Sequence, residues 1–136
     1  MADNLKPVFI ELSTSLKDLH RDLLMLEAKK METRVGRKIN PYELLNASLH
    51  DAAFAWLRTM SELIVQIDTI IDETPNLSAQ ESHRVSNEVL MVLEKPPGLI
   101  ATDFWTHYSD YLANNADVIM RHSTVKEILS RLRPMI

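Results

Sequence analysis

The fold turns on the stretch LHDAAFAWLRTMSELIVQID, residues 49–68. Large apolar residues recur at every third or fourth position, with His50, Arg58, Glu62 and Asp68 threaded among them. At about 100° per residue, Leu45, Leu49, Ala52, Ala53, Trp56, Met60, Leu63, Ile67, Ile70 and Ile71 gather in one broad arc. Asp51, Ala55, Arg58, Glu62, Gln66 and Thr69 lie opposite. His50, Leu57, Ser61 and Asp68 run along a flank, with Phe54 and Val65 just beyond it. An apolar arc that wide suits a central helix covered on two sides, by its own chain or by a second subunit. The pattern predicts one helix from Asn40 to about Glu73, with Arg58 and Glu62 paired on its wet face.

Working outward, Asn40, Pro41 and Glu43 form a capping box with proline at the first helical position. Upstream, Leu5, Phe9, Leu12, Leu16, Leu19, Leu23 and Leu26 alternate steps of four and three, drawing a seam along a first helix. Pro7 suits its start and Gly36 its left-handed stop. Lys29, Lys30, Arg34, Arg37 and Lys38 crowd that end, where the helix dipole favours cations without any bound anion. Downstream, Thr74 to Asn76 breaks the central helix, and Ser78 with Glu81 opens another that buries Val85, Val89, Val92 and Leu93 and stops at Pro96-Pro97-Gly98. Thr102 or Asp103 starts a helix presenting Phe104, Tyr108, Tyr111 and Leu112. Asn114-Asn115 marks a break or kink, and a last segment buries Val118, His122, Val125, Ile128 or Leu129, and Leu132 before Pro134. The expectation is an all-α single domain over residues 1–136, a bundle of four to five helices packed mostly antiparallel through short connections.

Composition agrees. Of 136 residues, 46% are hydrophobic and 25% charged, and two glycines are too few for a turn-rich sheet protein. A net charge of -4 argues against nucleic acid as the main partner. The chain has no cysteine, which removes disulfides, thiolate metal sites and cysteine nucleophiles. The start, MADNLKPVFIEL, lacks the pattern of a signal peptide, and no apolar run approaches the roughly 18 residues of a membrane span. A cytoplasmic protein is expected.

Few side chains suggest chemistry. His50, Ser61 and Asp68 share a flank, but eleven residues part His50 from Ser61, about 16 Å along a helix, too far for a triad. No Glu-x-x-His pair of the di-iron type occurs. His20, His50 and His122 each border an apolar stripe and, with Glu27, form the set that a metal or small ligand would use if it bound. Trp56, Trp105, Tyr108 and Tyr111 could line a pocket, although aromatics at helical spacing are usually core. No Gly-rich phosphate loop is present.

The run LHDAAFAWLRTMSELIVQIDTIIDE (residues 49–73), with FWTHYSDYLANNADVIMRHSTVKEIL (residues 104–129), resembles a family of small all-helical bacterial proteins of uncharacterised activity. Their pattern is LHD-x-x-FAWLR-x-x-SELIV-x-ID, then an aromatic-rich helix and a V-V/I-x-x-H segment; His20 in LHRDLL matches an early Leu-His. The resemblance covers most of the chain and implies a helical bundle in a bacterial cytoplasm, without an activity or cofactor. Where relatives of that pattern carry proline in the LHD-x-x-FAW turn, Ala52-Ala53 here predicts an unbroken helix. Together these features predict a non-enzymatic module acting through protein contact, as a homodimer or a small regulatory partner. Its expected interface is the outer side of the central helix: Phe54, Leu57, Arg58, Ser61, Glu62 and Val65.

Overall fold

The computed structural model describes residues 5–95 and 102–132. Every regular element among them is helical: α1 (Lys6–Val35), α2 (Pro41–His50), a 3-10 turn (Ala52–Leu57), α3 (Arg58–Glu73), α4 (Ala79–Leu93), α5 (Asp103–Asn114) and α6 (Ala116–Leu132). These are six α-helices where the pattern predicts four or five, and two local breaks account for the difference. Asp51 is extended (φ -79°, ψ 131°) and divides the expected central helix. Asn115 (φ -120°, ψ 117°) divides the last segment, and its side chain accepts from Val118 N at 3.1 Å to open α6.

α1 is the axis of the structure. Phe9, Leu12, Leu16, Leu19 and Leu23 have no exposed surface, as the alternating spacing requires, and each buried side chain contributes about 1.5–3 kcal/mol. α6 and α3 pack most extensively against it. The helix ends at Gly36, whose φ of 74° suits a residue without Cβ and whose N–H donates to Glu32 O at 2.9 Å. The basic residues of this end are largely engaged within the chain. Arg37 grips Glu43 (2.7 Å), Arg34 reaches Asp51 (4.0 Å), and Lys30 lies over the Tyr111 ring near Glu27.

The capping box at Asn40 forms in both directions, and Ser78 and Thr102 cap α4 and α5 through Glu81 N and Trp105 N. One core cluster draws on every helix; Val85, Val89 and Leu93 of α4 meet Val118, Val125, Ile128, Leu129 and Leu132 of α6 there. Ser82 Oγ donates to Leu132 O at 2.7 Å, and Arg121 ties α6 to Asp22 (2.9 Å) and Asp18 (3.6 Å) of α1. α4 stops at Leu93; the expected stops at Pro96-Pro97-Gly98 and Pro134 lie outside the described residues. No helix among the described residues is long and apolar enough to cross a membrane.

Candidate functional site

The site grows from the turn after Asp51. The Asp51 side chain accepts from Ala53 N at 2.8 Å and its carbonyl from Phe54 N at 3.0 Å, so the chain leaves α2 and re-enters as a 3-10 turn. Arg58 Nη2 donates to Leu49 O at 2.6 Å, satisfying a carbonyl that the end of α2 would leave bare. With three residues per turn, Phe54 and Leu57 point the same way, and both are buried, at 1% and 3% exposure. Trp56 is buried beside them.

This corrects four expectations. Ala52-Ala53 does not smooth the helix. Leu45 and Leu49, placed in the core arc by a continuous projection, are 57% and 56% exposed, and Ala47 is the buried residue of α2. Phe54 and Leu57, placed on the outer side, are covered by their own chain. Of the expected interface, Arg58, Glu62 and Val65 are exposed and Ser61 is half-buried. Arg58 and Glu62 do not pair either, because the Leu49 carbonyl holds the guanidinium.

Between α1, the end of α2, the 3-10 turn and α3 lies a cleft of about 300 Å³. Leu24, Leu49, Phe54 and Leu57 form its apolar walls, Arg58, Glu62 and Ser48 lie along it, and His20 and Ser61 meet in it. His20 Nε2 and Ser61 Oγ share a hydrogen bond of 2.9 Å, and Ser61 Oγ also lies 3.3 Å from Leu57 O. Burial lowers the His20 pKa, favouring a neutral ring. Sequence spacing missed this pair, since 41 positions separate its members. The only signal was that each borders an apolar stripe.

The pair is a weak start for nucleophilic chemistry. Among the described residues no carboxylate bonds to His20, and Asp68, the third residue of the flank, holds Ser13 and Lys17 instead. The metal candidates are engaged separately. His122 Nδ1 bonds Tyr108 Oη at 2.7 Å, Glu27 accepts from Tyr111 Oη at 2.8 Å, and His50 is exposed on the last turn of α2. Among the described residues no group of three or more His, Asp or Glu side chains is placed to hold a metal ion. Of the aromatic candidates Trp56 and Tyr108 are core, and Trp105 and Tyr111 are half-buried against it. Trp56 stacks on His107 (5.2 Å) and Tyr111 (6.2 Å) and tilts against Phe104. Its Nε1–H is buried without a partner among the described residues.

Comparison of the chain with protein-family models, with curated proteins and with solved structures finds no match.

Proposed function

We propose that this protein acts by protein–protein contact, without catalysis, through the face formed by the outer side of α2 and the first turns of α3. The observation that carries this reading is the apolar ridge of α2. Tyr42, Leu45 and Leu49 follow one another at helical steps of three and four and are 77%, 57% and 56% exposed. Leu49 runs into the walls of the cleft, and Val65, 63% exposed, lies one turn beyond Glu62 on α3. A ridge beside an apolar recess is the form in which a groove receives anchor side chains. The resemblance to small bacterial helical proteins supports a cytoplasmic setting for this module, and the short connections support antiparallel neighbours in its bundle.

A photoreactive residue placed at Leu45 tests the reading in living cells. Covalent adducts are expected from that position, abolished by Leu49→Glu, and absent when the probe replaces Met120 on α6. Absence of adducts at Leu45, or adducts indifferent to Leu49→Glu, would remove the α2 ridge as a contact surface.

A second reading rests on the cleft itself, whose apolar walls and His20–Ser61 pair suit a small ligand. Its metal form would need His20, His50 and His122 to converge, against the separate contacts of His20 and His122. A ligand or metal preferring the folded chain must raise its melting temperature. An unchanged melt with zinc, manganese or ferrous iron present removes the metal form.

A further inference from the structure

We infer that the partner on this face is a second copy of the chain, set antiparallel across a two-fold axis so that Arg58 meets Glu62 of the partner subunit. The inference rests on the protein-contact reading above and names its occupant.

Its basis is a pair of opposite charges left uncompensated one turn apart. Nearby charges on α1 and α4 are already matched: Arg21 with Asp18, Lys17 with Asp68, and Arg84 with Glu81 and Glu88. Arg58 and Glu62 are exposed along the same cleft, yet among the described residues neither has an ion-pair partner. Arg58 spends Nη2 on the Leu49 carbonyl and keeps its other N–H donors for an incoming carboxylate. Arg preceding Glu by four residues is also the less favoured order for a pair within one helix.

A face with a cation and an anion about 6 Å apart along the axis is complementary to itself in one orientation. Turning the second chain over exchanges the two positions, so each guanidinium faces one carboxylate and the pair occurs twice, once on either side of the axis. A parallel copy in register would set like against like. Leu49 and Val65 then provide apolar contact beside the charges. The faces of α2 and α3 are short, so the dimer is expected to form in the micromolar range.

Sedimentation equilibrium of the full chain tests this. The parent, Arg58→Glu, Glu62→Arg, the double variant, an equimolar mixture of the two single variants, and Leu49→Glu are compared across the micromolar range, with circular dichroism melts to establish folding. The expected result is a dimer in the parent, weakened at least roughly tenfold in each single variant, since like charges then face each other. Mixing the single variants yields heterodimers near the parent's affinity, because each reversed charge then meets its opposite. The double variant regains less, since its order of charges favours a pair within one helix and it lacks the bond to Leu49 O. Glu62→Arg is the cleaner reversal, because Arg58→Glu also removes the bond to Leu49 O.

A parent that stays monomeric overturns the second-copy inference and leaves the contact reading to the Leu45 probe. Dimers that ignore charge reversal but fail in Leu49→Glu overturn the Arg58–Glu62 register while supporting the face. Dimers indifferent to all of these changes overturn both.

Discussion

At the level of single residues, burial decides what His20, His122 and Trp56 do. Desolvation lowers the pKa of both histidines; at His122, Lys126 adds to the effect and Glu94 opposes it. The unfolded chain therefore takes up protons first as pH falls. Their contribution is complete above the unfolded value of about 6.5 and is lost as pH drops from there through the lower folded values. The melting temperature should fall between about pH 7 and 5, above most carboxylate titration, and flatten in a His20→Gln/His122→Gln variant. A level profile in the parent would show that neither ring matters to folding. Trp56 poses a different question, because its N–H is buried with no bond among the described residues. Trp56→Phe keeps an aromatic ring and deletes the unsatisfied donor, so its cost in urea unfolding should stay within about 1 kcal/mol. Trp56→Ala should cost about 3–5 kcal/mol. The sequence marked His20 and Ser61 as boundary residues but not as neighbours, since a contact across helices leaves no periodic trace.

At the level of the element, the turn at Asp51 is the decisive feature, and stability measurements can weigh it against a continuous helix. An unbroken helix would bury Leu45 and Leu49 and expose Phe54 and Leu57. The observed turn predicts the reverse: Leu45→Ala and Leu49→Ala should each change unfolding free energy by less than about 0.5 kcal/mol. Leu57→Ala should cost about 2–5 kcal/mol. Comparable losses at Leu45 and Leu57 would contradict the turn. Asp51→Ala, which removes the acceptor for Ala53 N, should cost about 0.5–2 kcal/mol. The sequence hid this break because no Gly or Pro lies between Leu49 and Leu57, and Ala52-Ala53 reads as good helix. Where side chain and backbone act within four residues, as at Asn40–Glu43, Ser78–Glu81 and Gly36, the ends were legible.

At the level of the whole molecule, one core joins all the helices, with α1 packed mainly between α3 and α6. Far-ultraviolet circular dichroism and tryptophan fluorescence should therefore trace a single coincident urea transition; separated midpoints would mean that the packed core is not one cooperative unit. The sequence alone determined the helical class, the seam of α1 from Phe9 to Leu23, the caps, and the inward residues of α4 and α6 apart from Val92 and His122, which are half-buried. Each of these follows from spacing or bonding inside one segment. Only the tertiary structure decided which side of residues 41–57 is buried. Burying Phe54, Trp56 and Leu57 against α1 and α5 outweighs one continued helix, and that competition is settled by surfaces far apart in the chain. The same turn leaves Tyr42, Leu45 and Leu49 in the open and draws Arg58 away from Glu62. The candidate contact face therefore arises from a packing choice that no local pattern records.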